Sequence, residues 1–240
     1  MRALLLFGLL ASTAFGTAQT ASQFTTPDGK LHTHIEGIDI PSVANAPFSA
    51  REVVTWDQTL AGGGTVSHMY YTLVARDSQG RVRREMRDFV PASSNEIPRL
   101  RSFSITDPAS GTRTTCSPDA MKCTVATFHP RPVLTEAASG TPNRENLGQQ
   151  TVSSMTVVGT RETVTTDAGT HGSDRPLVSS KDLWYSPDLQ MNLSVVRTDP
   201  QFGRQTLTLT NIQRGEPDQS YFAVPPGYGI IDTRNSSASN

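Results

Sequence analysis

The sequence predicts a mainly β domain built on a single, strongly curved antiparallel sheet with few or no helices; a β-sandwich is the alternative. Strand-like segments recur between turn signals along most of the chain, roughly nine to eleven in number, while helical periodicity is nearly absent. From Gln190 to Val195 apolar and polar residues alternate, which indicates a sheet with one buried face and one wet face. Gly159 lies in the middle of a segment too long for a flat strand, which favours a bend.

The composition describes one globular domain with balanced charge. The chain has 240 residues, with 21 basic and 22 acidic side chains. This balance lacks the basic excess of nucleic-acid-binding proteins, so no nucleic-acid partner is expected. No apolar run reaches the roughly 18 residues that a bilayer span requires, so no membrane span is expected once a leader is removed.

Residues 1–18 have the features of a secretory signal peptide. Arg2 supplies a positive charge, an apolar run follows, and Gly16-Thr17-Ala18 offers a small-x-small cleavage pattern. A buried N-terminal helix is the alternative. Cleavage near Ala18 would release the protein into a periplasmic or extracellular space, and no cysteine lies nearby to carry a lipid anchor.

The remaining chain divides into an extended arm, a β domain and a short tail. The arm covers residues 19–46 and the domain residues 47–230. Within the domain, residues 129–148 are rich in Pro, Gly and Asn and are predicted to form a long loop. Residues 231–240 are rich in Ser and Asn and are predicted to be a disordered tail.

Three turns are predicted from their residue types. Asp-Ser-Gln-Gly at 77–80 is a tight turn, and Asp-Pro-x-x-Gly occurs at both 107–111 and 199–203. Proline presets φ for the second turn position, and glycine accepts the left-handed conformation. These turns imply antiparallel hairpins.

The chain has two cysteines, Cys116 and Cys123, on either side of a Ser-Pro-Asp turn. Strand-like residues flank both, so the two thiols are expected to face each other across a hairpin. An oxidising compartment would join them in a disulfide. A redox or metal-binding pair is the alternative, but the spacing matches neither a thioredoxin motif nor a zinc knuckle.

Motifs for catalysis are absent from the sequence, which has no nucleophile elbow, zinc-protease motif, phosphate loop or dinucleotide fingerprint. His32 and His34 could share a metal on one strand face, although an exposed polar arm is the simpler interpretation. The loop segment His171-Gly172-Ser173-Asp174 contains the three residue types of a hydrolytic triad, but adjacent residues do not make a triad. We therefore expect no enzyme, no cofactor and no resident metal.

The sequence has one basic cluster, at residues 81–87. Arg81, Arg83 and Arg87 would share one strand face and could contact the head group of a ligand. The alternative is a solvated strand whose charges guard a sheet edge against unwanted pairing.

Large apolar side chains on the predicted strands are the candidate lining of an apolar cavity in the concave face. Such a sheet can hold an apolar ligand without catalytic groups. The candidates are Trp56, Met69, Tyr71, Leu73, Phe103, Trp184, Met191, Leu193, Val195, Leu207 and Leu209.

The C-terminal half resembles a known family through two phrases, Leu183-Trp184-Tyr185-Ser186-Pro187-Asp188-Leu189 and Tyr221-Phe222-Ala223-Val224-Pro225-Pro226-Gly227-Tyr228. Their order, with an alternating strand pair between them, is similar to the end of LolA-like half-barrels, the fold of periplasmic lipoprotein carriers. The resemblance implies a half-barrel. The chain as a whole also resembles secreted bacterial proteins with no assigned activity, through phrases at residues 46–50, 76–81 and 173–176.

These observations predict an exported, non-enzymatic envelope protein that binds a lipid or lipoprotein acyl chain in an apolar concave sheet. A periplasmic protein-interaction or sensor domain, with an envelope protein as partner, is one alternative. A hydrolase with an unrecognised site is the other.

Overall fold

A computed structural model describes residues 24–25, 31–32, 37–128, 142–169 and 173–234. Residues 1–36 form a separate unit, in which β1 (Phe24–Thr25) pairs with β2 (Leu31–His32). The predicted signal peptide lies outside the described residues, as do parts of the arm, of the loop and of the tail. Among the described residues, none belongs to a helix long and apolar enough to cross a bilayer.

The second unit contains one sheet of 13 strands that is curved and does not close. Its strands follow the order β10-β11-β12-β13-β14-β3-β4-β5-β7-β8-β9-β15, with β6 beside β4. Their bounds are β3 Phe48–Thr59, β4 Thr65–Arg76, β5 Val82–Arg87, β6 Val90–Pro91, β7 Leu100–Asp107, β8 Thr112–Ser117, β9 Lys122–Thr127, β10 Asn143–Val152, β11 Met155–Thr166, β12 Leu177–Ser186, β13 Met191–Asp199, β14 Gly203–Arg214 and β15 Gly229–Asp232.

The prediction of a mainly β, single-sheet domain is confirmed, and the sandwich alternative is not the one adopted. Neighbouring strands are antiparallel except β15, which pairs with β9 in parallel. Helical structure within the described ranges is limited to a 3₁₀ turn at Gln219–Phe222.

The three predicted turns connect neighbouring strands, and in each an aspartate caps the turn. The Oδ1 atom of Asp77 accepts hydrogen bonds from the backbone N–H groups of Gln79 at 3.0 Å and Arg81 at 2.8 Å. Asp107 and Asp199 accept in the same way from residues of their own turns. Gly203 has φ +83°, and a Cβ there would lie 2.2 Å from the carbonyl oxygen of Asp57, so both conformation and space require glycine.

One face of the sheet, here called the covered face, carries the larger core. In β3 it presents Phe48, Ala50, Glu52, Val54 and Trp56, all buried, and Leu193, Val195, Leu207 and Leu209 continue the face across β13 and β14. Residues 37–47, here called the strap, supply Ile38, Ile40 and Ala46 to the same core. The described end of the predicted arm is therefore an integral part of the domain.

A smaller core lies on the opposite face, near the other end of the sheet. It contains Ala75, Phe103, Ile105, Phe222 and the two cysteines, with Leu100, Val224 and Tyr228 packed against them. Residues 217–228, here called the cover segment, close this core. Cys116 and Cys123 face each other on β8 and β9 and form the predicted disulfide, which is fully buried.

Two predicted boundaries need correction. Residues 143–148, assigned to the long loop, form the first part of β10, because their backbone pairs with β11 despite their polar composition. Residues 231 and 232, assigned to the tail, complete β15, where they pair with Thr124 and Val125 at the edge of β9. In both places backbone pairing with another strand overrides a local composition typical of loops.

Gly159 also has a different role from the one predicted. The bulge in this region lies on the facing strand, between Asn146 and Gly148, and not at Gly159. A Cβ at Gly159 would lie 2.4 Å from the ring of Trp184, its partner on β12. Gly159 is therefore required because the indole of Trp184 lies directly on its backbone.

We expect Gly159→Ala to lower the free energy of unfolding by about 1–3 kcal/mol, because the new methyl group must displace a rigid ring. Urea denaturation would measure the change. Gly62→Ala is the matched control, because no atom lies within 4 Å of the added methyl group. An equal loss in both variants would contradict the contact with Trp184.

We expect the double replacement of Cys116 and Cys123 by serine to lower the free energy of unfolding by about 2–3 kcal/mol, because the short loop that they close then gains freedom in the unfolded chain. Thermal denaturation of the variant and of oxidised protein would show the difference. Two free thiols titrated in denatured, unreduced protein exported to an oxidising compartment would contradict the disulfide.

Candidate functional site

A buried ion pair fastens the start of the strap to the sheet. The Glu52 carboxylate, fully buried in β3, accepts a hydrogen bond from the backbone N–H of Ile38 at 2.6 Å and one from Arg84 Nη2 at 2.9 Å. Arg84 also donates to the carbonyl oxygen of Ile38 at 2.7 Å. A Cβ at Gly37 would lie 1.7 Å from Arg84 Nη2, so any side chain here would have to displace the Arg84 guanidinium from the ion pair.

A buried arginine, Arg76, fastens the end of the strap. The Arg76 guanidinium donates to the carbonyl oxygens of Ala46, Pro41 and Leu189 at 3.0, 2.9 and 2.6 Å. Burial lowers the pKa of Arg76 to about 10, so the side chain stays charged at neutral pH. Carbonyl dipoles replace its water shell and thereby connect the strap to the turn before β13.

Six of the eleven predicted lining residues lie in the core of the covered face. Trp56, Met191, Leu193, Val195, Leu207 and Leu209 are all buried. Leu193, Leu207 and Leu209 are 0% exposed, which leaves them no contact with solvent. Trp56 additionally donates from its indole N–H to the carbonyl oxygen of Phe202 at 2.6 Å. These residues form a filled core, and Phe103 belongs to the smaller core.

The other predicted lining residues lie on the reverse side of the same strands, here called the open face. Met69, Tyr71 and Leu73 alternate with the buried residues of β4, and Leu73 is 43% exposed. Val53, opposite Tyr71, belongs to this face, as does Trp184 beside Gly159. Threonines of β14 surround these apolar groups at positions 206, 208 and 210. The predicted lining therefore divides between two faces.

A recess of about 240 Å³ lies at one end of the open face, beside the cover segment. Leu73 and Ala75 contribute its apolar wall. Its polar wall contains Ser49, Arg51, Arg83, Glu85, Asn211 and Gln213, together with Tyr221 of the cover segment. A register shift in β14 between Thr210 and Gln213 brings the two amide side chains here, and Asn211 has φ +52°. The recess thus combines cationic, amide and apolar groups.

Of the three predicted head-group arginines, only Arg83 reaches the recess. Its guanidinium lies 4.2 Å from the centre of the Phe103 ring and donates to the carbonyl oxygen of Tyr221 at 3.0 Å. Arg81 instead pairs with Asp77 at 2.6 Å, and Arg87 pairs with Glu85 at 2.8 Å. Arg81 therefore has a partner of its own, whereas Arg83 and Arg87 both contact Glu85.

The residues considered for metal binding or hydrolysis do not converge in the described parts of the chain. His34, His129 and His171 lie outside the described residues, and His68 is buried 6.2 Å from the ring of Trp56. Asp174 is exposed, and the neighbouring Ser173 hydroxyl donates to the carbonyl oxygen of Arg175. Within the described ranges, no three His, Cys, Asp or Glu side chains cluster as metal ligands.

The chain is similar to several solved structures. One is the Pseudomonas aeruginosa MucA/MucB complex, with 12% identity, 77% of this chain and 57% of that chain covered, and a TM-score of 0.41. Another is the Mycobacterium tuberculosis lipoprotein LppX, with 14% identity, 75% and 91% coverage and a TM-score of 0.31. A LolA superfamily protein from Nitrosomonas europaea has 8% identity, 77% and 92% coverage and a TM-score of 0.32.

One of these structures is thus described as a member of the LolA superfamily. The chain spans between 57% and 60% of the MucB-containing chains that it matches. No family model and no curated protein matches the sequence. At these identities the likeness concerns the arrangement of the sheet and does not extend to a ligand or a partner.

Several residues of this region were not singled out from the sequence. Arg51 lies two residues before Val53 on β3 and therefore on the same face of the strand. Its place on the open face could thus have been predicted from the alternation of the strand. Asn211 and Gln213 follow a regular threonine alternation that predicts no bulge. Nothing in the local sequence pairs Glu52 with Arg84, because the pair depends on the register of β3, β4 and β5.

We expect Glu52→Gln to lower the free energy of unfolding by about 2–3 kcal/mol, because Arg84 then loses a charged hydrogen-bond acceptor. The Ile38 amide should also exchange with deuterium faster. Glu162→Gln is the control, since its partner Arg144 is 54% exposed and such pairs contribute about 0–1 kcal/mol. Equal losses, with Ile38 exchange unchanged, would contradict the anchoring role of Glu52.

Proposed function

We propose that this protein is a non-enzymatic, exported binding protein of the cell envelope that holds an apolar ligand, such as a lipid or lipoprotein acyl chain. The observation that carries the proposal is the open face, where Met69, Tyr71, Leu73 and Val53 lie partly exposed beside a recess. Location in the envelope rests on the export signal predicted at residues 1–18 and on the buried disulfide.

The open face supports this proposal better than the covered face because the strap already occupies the covered face. An acyl chain on the covered face would have to displace Ile38 and Ile40 and leave Glu52 without the Ile38 amide. On the open face it would follow β4 from Leu73 to Met69, about 13 Å at the usual strand rise. Each methylene fully removed from water stabilises binding by about 0.8 kcal/mol, so eight of them supply about 6 kcal/mol, from which the cost of association is subtracted.

We expect the purified protein to bind 1-dodecanol, a chain without a charged head group, with a change in tryptophan fluorescence from Trp184. The double variant Val53→Thr, Tyr71→Thr keeps strand-forming residues and removes apolar contact, so the affinity should fall about tenfold. Ile230→Thr is the matched control, because Ile230 is 61% exposed on the distant strand β15. Calorimetric titration would give both affinities.

Failure of the wild-type protein to bind dodecanol would contradict the proposal. So would an equal loss in the control variant, because the apolar contact would then not be specific to the open face. Native mass spectrometry of protein purified after export would separately show whether a lipid is retained.

A protein-interaction domain is the second candidate, and the edge strand β10 favours it. β10 runs for ten residues, is mostly exposed and, among the strands of the described ranges, pairs on one side only, with β11. An unpaired edge of this length is suited to the addition of a strand from another protein. A purified envelope partner whose binding is lost in Gln149→Pro, with dodecanol binding absent from both proteins, would support this candidate over the carrier.

A further inference from the structure

We infer that the recess binds the anionic head group, a carboxylate or a phosphate, of an amphiphile whose chain lies along the open face. This inference rests on the proposed function and specifies its ligand class. Its central residue is Arg51, which the sequence analysis did not select. Asn211 and Gln213 supply neutral donors on the same wall, and Arg83 supplies a second cation.

Arg51 is the cation best placed to meet a ligand. It is exposed, and its guanidinium lies 4.7 Å from the centre of the Tyr71 ring. Within the described chain no carboxylate or carbonyl oxygen holds this guanidinium by a hydrogen bond. A planar guanidinium offers several N–H donors and matches the geometry of a carboxylate or a phosphate. Its stacking on Tyr71 also orients it at the boundary between the recess and the apolar part of the face.

The charges around the recess leave a positive excess. Among the described residues that line the recess, Glu85 is the one carboxylate, and the Arg87 guanidinium contacts the Glu85 Oε2 atom through both Nε and Nη2. Arg83 lies 3.6 Å from the other Glu85 oxygen, a looser contact. Since Arg87 already compensates Glu85, the charges of Arg83 and Arg51 remain for an incoming anion. A neutral or cationic head group would leave this excess unmatched.

The size and position of the recess suit a head group and not a whole ligand. Its volume of about 240 Å³ is below the roughly 300–1,000 Å³ typical of pockets that enclose an entire small molecule. Leu73 belongs both to the recess and to the apolar row that continues to Tyr71 and Met69. A ligand that fills the recess with its polar end therefore has an apolar path directly beside it.

The test compares four probes at concentrations below micelle formation: dodecyl phosphate, laurate, 1-dodecanol and inorganic phosphate. We expect dodecyl phosphate or laurate to bind the wild-type protein at least about tenfold more tightly than dodecanol. A difference of about tenfold in affinity is what one charge-assisted hydrogen bond contributes. Arg51→Gln should remove most of this preference and leave dodecanol binding unchanged. Arg51→Lys should keep part of it.

Arg99→Gln is the matched control, because Arg99 is 61% exposed in an ion pair with Asp119 away from the recess. The preference for the charged probes should persist in this variant and decrease with added salt. Retained dodecanol binding by Arg51→Gln shows that the variant is folded, so a lost preference reports on the head group alone. The relative affinities of laurate and dodecyl phosphate then identify the head group.

Equal binding of dodecanol and both charged probes, unaffected by Arg51→Gln, would overturn the inference and leave the proposed function intact. Absence of binding by every dodecyl probe would overturn both. Inorganic phosphate that binds as tightly as dodecyl phosphate would identify a free-anion site and overturn the assignment of an amphiphile head group.

Discussion

The fold depends on how a single open sheet shields one of its two faces without helices. The strap does this with its own apolar side chains, and two arginines, the buried Arg76 and the partly buried Arg84, hold it in place. Arg84 does so through Glu52 and the Ile38 carbonyl, and Arg76 through three backbone carbonyls. Each charge is costly to bury unless all its partners are present, so strap and sheet must form together.

The two faces of the sheet consequently differ in what they offer. The covered face is a closed core under the strap, and the smaller core with the disulfide is closed by the cover segment on the opposite side. The open face, on the side of the sheet opposite the strap and beside the smaller core, keeps apolar side chains among threonines. The recess lies where the open face meets the cover segment, because the cover segment closes only one end of that side of the sheet.

The sequence predicted elements well where a local pattern carries the information. The Asp-Pro-x-x-Gly turns, the alternating strand from Met191 to Val195 and the pairing of Cys116 with Cys123 all depend on neighbours within one hairpin. It predicted less well where backbone pairing overrides local composition. Residues 143–148 have a composition typical of loops but form strand because β11 supplies their hydrogen bonds. Periodicity likewise shows that Tyr71 and Leu193 lie on strands, but not that they lie on opposite faces.

Composition and periodicity by themselves determined that this chain forms an antiparallel sheet, is stabilised by one disulfide and has an N-terminal segment typical of export. The tertiary structure decided which apolar residues are core and which remain accessible, because that depends on where residues 37–47 and 217–228 pack. It also decided the partner of each arginine. The register of adjacent strands places Arg84 on the covered face beside Glu52 and Arg83 on the opposite one, and no spacing within a single segment encodes that register.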